Sequence, residues 1–336
     1  MESSGAAATP ARSPREQIRE AAGRRPALTA ALILALLLVV LVAAEGLNKV
    51  AQTGLNGLSL GAIYALGAVG LTLVYGILRL VNFSHGDLLT FGAYIAFLVN
   101  VTWELPFGLS ILAAVAATAV LALILEAVIW RPMRAKQAGL FQLMLMSIGL
   151  AFLIRATIQF IWGGSQRQLD VDNLAKSEPL GLTIGNTELM IIIVGFVVLI
   201  AVGLMLRLTL LGKQMRAVSD DLDLAETAGI NTQRVIILTW VFAGALAGLA
   251  GVMAGSTQTV YPELGFELLL PIFAAVILGG IGDAFGALAA GVVLGVVIEL
   301  STLVVDQQWK LVVGFVVLIL VLVIRPQGIF GKARAI

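Results

Sequence analysis

Long apolar blocks separated by short polar stretches set the pattern of this chain. Ala27–Ala44 is about 18 apolar residues, just enough to span a bilayer as a helix. Val50–Val81 is about 30 residues, or about 48 Å of straight helix against about 30 Å of hydrocarbon. That block must tilt, extend beyond the bilayer or break. Asn56, Gly57, Ser59 and Gly61 crowd its first half, so the pattern predicts a break or irregular stretch there. NFSHGD (Asn82–Asp87) follows, then a short apolar segment, Leu88–Val101. Further spans are predicted over Gly108–Trp130, Leu140–Trp162, Leu189–Leu211 and Val235–Ser256. Leu268–Leu300 is again overlong and is interrupted by GGIGD (Gly279–Asp283), and Leu311–Ile324 closes the membrane part.

The polar stretches orient these blocks. Residues 1–26 read as a disordered basic tail. The block behind it is an extra N-terminal span or, alternatively, the core of a signal sequence. By the positive-inside bias, the five tail arginines, Arg79, Arg131, Arg134, Lys136, Arg207, Lys213, Arg216, Arg234, Arg325, Lys332 and Arg334 share one side. Only Lys49, Arg167, Lys176 and Lys310 fall on the other, and Arg155 lies within a span. This split requires Leu268–Leu300 to go in and come back, as two short spans or half-helices around GGIGD. The expected fold is therefore all-α and polytopic, with about 8–10 transmembrane or half-membrane helices, some broken, and both termini cytoplasmic. The main membrane domain is expected over 50–331.

Composition agrees. Of 336 residues, 60% are hydrophobic and only 12% charged, more apolar surface than one soluble core can hide. The 36 glycines exceed ordinary usage. Gly57/Gly61, Gly244/Gly248, Gly251/Gly255, Gly282/Gly286 and Gly291/Gly295 are GxxxG pairs that predict close helix packing. The absence of cysteine and the single histidine leave no thiolate chemistry, zinc site or Ser-His-Asp triad to argue for. No GxxxxGK[ST] is present, so the chain has no nucleotide cradle of its own. No metal or bound cofactor is expected.

Two kinds of segment carry candidate chemistry. NFSHGD and GGIGD combine glycine with polar groups after overlong apolar runs, and broken helices persist at membrane depth only where protein or a wet cavity surrounds them. A translocation path along Asn56, Ser59, Tyr64, Asn82, Ser84, His85, Gly279, Gly280 and Gly282 follows from that reading. Phe83 or Phe285 would form its apolar wall. The plainer alternative makes NFSHGD a turn at the inner surface, with His85 capping backbone carbonyls. Among intramembrane charges, Glu126 and Arg131 suggest an interfacial pair, and Arg155 a partner such as Glu299. The second kind is Gly212–Gln233, where Met215, Val218, Leu222, Ala225 and Ala228 keep helical spacing. Gly229 is placed to end that helix and Asn231 to cap the next span. Its acidic residues Asp220, Asp221, Asp223 and Glu226 suit a protein partner better than a membrane surface.

Four motifs in order carry a resemblance. GLNGLSLGAIYALGAVGLTLVYGILRLVNFSHGD (Gly54–Asp87), AETAGINTQRVI (Ala225–Ile236), AAVILGGIGDAFGALAAG (Ala274–Gly291) and RPQGIFG (Arg325–Gly331) closely resemble the branched-chain amino acid ABC transporter permeases, the smaller of their two permease types. Urea-type permeases share these motifs, and residues 1–45 depart from the family pattern. The resemblance implies a second homologous permease or a second copy of this chain, two cytoplasmic ABC ATPases that hold ATP and magnesium, and an extracytoplasmic substrate-binding protein. It implies no catalysis by this chain and a bacterial-type inner membrane. Residues 213–230 become the coupling helix, with Asp220, Asp221, Ala225, Glu226, Ala228 and Gly229 facing the ATPase. Three alternatives remain: carriage of urea or a short amide, an ion-coupled secondary transporter or channel, and an intramembrane enzyme.

Overall fold

The computed structural model describes residues 41–171, 176–177, 182–324 and 328. The basic tail, most of the predicted 27–44 span, Asp172, Glu178 and all of RPQGIFG except Gly328 lie outside the described residues. The chain divides into two units, Met1–Gly46 and Leu47–Ile336. Of the first, residues 41–45 are helical; the rest of the description concerns the second.

Six described helices are long and apolar enough to cross a membrane, which makes this an all-α, multi-pass membrane protein. The first is α1 (Leu47–Leu78), a single unbroken helix. The expected irregularity at Asn56–Gly61 is absent, because the small residues there serve packing instead. A Cβ built on Gly57 would meet Val296 Cα at 2.8 Å, and one on Gly295 would meet Gly61 Cα at 2.3 Å. Backbone thus lies directly against backbone between α1 and α10 (Ala284–Ser301).

Between these two, the chain forms α2 (His85–Phe97), which continues through a π turn at Leu98–Thr102. Next is α3 (Phe107–Leu125), extended through a second π turn, Glu126–Trp130, to Ala135. Helix α4 (Leu140–Trp162) leads to a small antiparallel pair, β1 (Lys176–Ser177) and β2 (Ile184–Gly185), with Lys176 opposite Gly185. Helix α5 (Asn186–Leu208) is followed by two short helices, α6 (Leu210–Asp220) and α7 (Leu222–Thr227), and then α8 (Thr232–Thr257). Helix α9 (Leu264–Gly279) turns at GGIGD into α10, and α11 (Lys310–Ile324) completes the described bundle.

Burial sorts these helices into centre and rim. In the most apolar windows of α1 and α8, 89% and 72% of residues are buried, against 28% for α3, α4 and α5. The rim helices therefore present Leu112, Phe152, Phe160 and Val197 outward, as lipid-facing helices should. Glycine joins rim to centre as well: Gly244 and Gly248 of α8 sit against Ala122 and Thr118 of α3. Trp130 stacks on Trp240 at 6.0 Å, pinning the end of α3 to α8.

Leu268–Leu300 does reverse, as its charge pattern demanded. Gly280 and Gly282 take φ of +98° and +90°, and the Asp283 carboxylate accepts from Phe285 N and Gly286 N to start α10. The half-depth feature of this region lies elsewhere, at the start of α9. A Cβ on Gly265 would fall 1.8 Å from Gly86 O, and Gly265 N donates to Thr90 Oγ1 at 2.9 Å. The first turns of α2 and α9 therefore cross in contact inside the bundle.

Candidate functional site

Helix α2 does not begin level with the end of α1. Its first residue, His85, donates from Nε2 to the Gly67 carbonyl of α1 at 3.0 Å. Gly67 lies 11 residues before Leu78, so α2 starts about 16 Å up the bundle from the end of α1. Residues 79–84 make that return. Arg79 takes a positive φ of 53°, and α4 holds the ascending strand where Phe83 N donates to Ser147 Oγ at 3.2 Å. NFSHGD is therefore a buried start within the protein and not a turn at its surface, although His85 does bond a backbone carbonyl as the plainer alternative had it.

Every polar residue of this start is enclosed. Asn82, Ser84, His85 and Asp87 are each 0% exposed. Asn82 Oδ1 accepts from the Ser84 N–H and from Ser84 Oγ at 2.7 Å. A carbonyl can only accept, so His85 carries its hydrogen on Nε2. Asn82 Nδ2 and His85 Nδ1 have no hydrogen-bond partner among the described residues. Phe83 packs on Phe273 at 5.3 Å, whereas Phe285 is 45% exposed and faces Gly203 of α5.

The intramembrane charges pair differently from expectation. Arg155 is bound to Asp87, Nε to Oδ1 at 3.0 Å, and its guanidinium lies over the Phe266 ring at 4.4 Å. Glu299 instead takes Lys310 at 2.8 Å. Glu126 is 2% exposed and bonds Arg134, not Arg131, with Nη1 to Oε2 at 3.0 Å. The π turn at Glu126–Trp130 changes which side chains share a face, and that displaced the pairing.

The remaining candidates spread along α1. Ser59 and Tyr64 are buried in the helix. Asn56 instead helps line a pocket of about 390 Å³ near the start of α1, together with Gln52, Lys176, Thr183, Thr187 and Glu188. The GGIGD turn sits beside the last turns of α1, where Gly282 N donates to Thr72 Oγ1 at 3.1 Å. Gly279 is packed on Gly286, and Gly280 is buried. One helix thus touches three separate groups, at Asn56, Gly67 and Thr72. The first two are about 16 Å apart and the last two about 8 Å.

The segment over 213–230 is two helices, because Asp221 breaks the run and its carboxylate accepts from Leu224 N at 2.9 Å. Asp220, Asp221, Glu226, Ala228 and Gly229 are exposed, whereas Ala225 is buried at 3% within this chain. Gly229 takes φ +84°, with Gly229 N bonded to Glu226 O and Ile230 N to Ala225 O at 3.0 Å. These bonds form the Schellman termination that the sequence predicted. Asn231 Oδ1 accepts from Arg234 N at 2.9 Å, the predicted cap. Met215 and Val218 are buried against the protein, not laid on lipid. Ser219 fastens the segment to α1: its Oγ donates to Gly76 O at 2.8 Å, and Arg79 Nη2 donates to its carbonyl at 3.0 Å.

Residues 54–322 match the family model for the permease component of the branched-chain amino acid transport system. The chain belongs to that permease family. It is similar to the high-affinity branched-chain amino acid transport permease LivH of Salmonella typhimurium, at 34% identity over 84% of this chain and 95% of that protein. It is equally similar, at 34% over the same shares, to BraD of Pseudomonas aeruginosa. The L-arabinose permease AraH of Azospirillum brasilense matches a smaller part, 38% identical over 32% of this chain and 31% of its own.

Some residues of this permease that the structure brings forward were not singled out from sequence. Asp87 stood inside NFSHGD and was legible as an acidic residue beside an apolar run. Its partner was not, because 68 residues separate it from Arg155. Lys176 was legible only as a charge in the orientation count, and Glu188 was not singled out at all. The contact of Thr90 with Gly265 had no local signal at all.

Proposed function

We propose that this permease is the membrane subunit of an ATP-driven importer that carries branched-chain or other small amino acids. On this reading it stands in a bacterial-type inner membrane with its C-terminus cytoplasmic, beside a second homologous permease or a second copy of itself. Two cytoplasmic ABC ATPases hold ATP and magnesium and do the hydrolysis, while an extracytoplasmic binding protein delivers substrate. The observation that carries the proposal is the α6–α7 segment. It exposes Leu224 at 67% on a short helix edged by Asp221, Asp223 and Glu226, and it is hydrogen-bonded through Ser219 to α1. An exposed apolar anchor with acidic neighbours suits a partner's groove, and the anchored segment moves α1 when that groove closes. Exposed ion pairs there would contribute only about 0–1 kcal/mol each, so Leu224 is the stronger contact.

Leu224→Asp is expected to insert and fold normally and to lose more than tenfold of its ATP-driven uptake, with Gly229→Asp acting in the same direction. Normal uptake by the Leu224 variant would overturn the docking assignment. Uptake driven by a proton or sodium gradient without ATP would favour a secondary transporter. Competition among leucine, isoleucine, valine and urea tests the substrate.

The unpartnered Asn82 amide at the buried start of α2 supports placing Asn82, Ser84 and His85 on the path. Asn82→Ala should lower the uptake rate several-fold while ATP hydrolysis continues. An unchanged rate and affinity would remove Asn82 from the path.

A further inference from the structure

The pocket near the start of α1 is built from charges of both signs that do not pair with each other. Lys176 on β1 is exposed, Glu188 lies in the first turn of α5, and neither has an ion-pair partner among the described residues. On the α1 side stands Asn56, whose Oδ1 is buried without a hydrogen-bond donor. Gln52 also reaches the pocket, but its Nε2 is already committed to the Thr183 carbonyl, which ties α1 to the β1–β2 turn. Thr187 completes the rim. Water readily satisfies an exposed lysine, so the informative groups are the glutamate and the amide oxygen. Both are acceptors on residues that line a cavity of about 390 Å³, and Lys176 belongs to the same lining.

This arrangement matches one ligand chemistry. A positively charged ammonium suits a lining that holds Glu188 and the Asn56 amide, since it has three hydrogens to donate and nothing to accept with. An anionic oxygen one or two bonds away fits toward Lys176. We infer that the pocket formed by Asn56, Lys176 and Glu188 is a receiving site for the ammonium and carboxylate of a free α-amino acid. The site rests on the amino-acid reading given above and adds to it. It recognises the part common to all amino acids and leaves the side chain unread, so it is not a selectivity filter. It lies at the end of α1 opposite the segment held by Gly76. Ligand arriving there is therefore separated from the enclosed Asn82–His85 group by about 16 Å of helix. A zwitterionic lipid headgroup shares part of this chemistry, and the experiment separates the two.

The test uses the complete importer, with its ATPases, in nanodiscs of phosphatidylcholine and phosphatidylglycerol, without the binding protein. Saturation-transfer NMR is recorded with leucine, with isoamylamine, which lacks the carboxylate, and with isocaproate, which lacks the ammonium. Leucine should give transfer, and the other two should give at least fivefold less. Glu188→Gln and Lys176→Gln should each weaken the leucine signal at least fivefold. Valine should lose signal by the same factor as leucine, because only the backbone groups are read. Equal signals from all three probes, or an unchanged leucine signal in both variants, would overturn the site. Loss of the leucine signal on adding phosphatidylethanolamine would assign the pocket to lipid and overturn it too. No leucine signal from a complex that performs ATP-driven leucine uptake in proteoliposomes supplied with the binding protein would overturn the site alone. Failure of uptake for every amino acid would instead overturn the importer reading.

Discussion

Gly295→Val should not accumulate as a folded protein in the membrane. At this position α10 runs so close to α1 that an added Cβ would lie 2.3 Å from both Cα and N of Gly61. The obstacle is main chain, so no rotamer change relieves it. Neighbouring positions leave no room for a local detour: a Cβ on Gly291 would meet Ala65 Cα at 2.6 Å, and one on Gly61 would meet Val292 O at 2.7 Å. The helices must separate along their length, and dispersion contacts weaken steeply with distance. Without a hydrophobic drive between helices in lipid, packing is what holds them. A cost at or above the upper end of the usual 1–3 kcal/mol for overpacking is expected. Gly54→Val is the control, because nothing lies within 4 Å of a Cβ there. Membrane-fraction abundance and thermal unfolding in detergent measure both. Wild-type stability for Gly295→Val would contradict the α1–α10 packing.

The second large effect belongs to Asp87. Its side chain is 0% exposed and that of Arg155 is 14% exposed. Asp87→Ala strands a guanidinium inside the bundle against Phe266. Removing one partner of a buried pair typically costs about 3–5 kcal/mol, whereas replacing both with apolar groups is often neutral. The single variant should therefore unfold at markedly lower temperature. The double variant Asp87→Leu with Arg155→Leu should recover most of the loss. Its uptake then separates the roles. Recovered stability with lost uptake would make the pair part of the transport cycle, and recovery of both would make it structural. A single variant as stable as wild type would show that Arg155 reaches solvent.

What could be read in the sequence was local. Gly229 and Asn231 were placed correctly because a helix stop and a helix start each depend on a few adjacent residues. The reversal at GGIGD was legible for the same reason, aided by the requirement that charge fall on the correct side. The reading failed where local signals were ambiguous between two uses. Glycines crowding one helix can break it or let another helix approach, and only the position of α10, far along the chain, decided for packing in α1. The same limit hid the Asp87–Arg155 pair and split the proposed path. Asn56, His85 and Gly282 share α1 as a wall, but the sequence could not place them at three separate points along it. The segment over 213–230 was read as one helix because its apolar spacing is continuous. The preference of Asp221 for a cap position broke it in two.

The α1–α10 contact also has a consequence for synthesis. Roughly 230 residues separate Gly61 from Gly295, which at ribosomal rates leaves the α10-facing groove of α1 unfilled for roughly 10–50 s. Helix α8 faces no such delay, since Gly248 and Gly251 meet Gly92 of α2 and the Leu89 carbonyl, both made before α8 emerges. The glycine groove of α1 must wait while Gly244/Gly248 and Gly251/Gly255, grooves of the same kind, are inserted ahead of its true partner. If α2 and α3 fill the α8 grooves first, the wrong small-residue surface is already taken when α10 arrives.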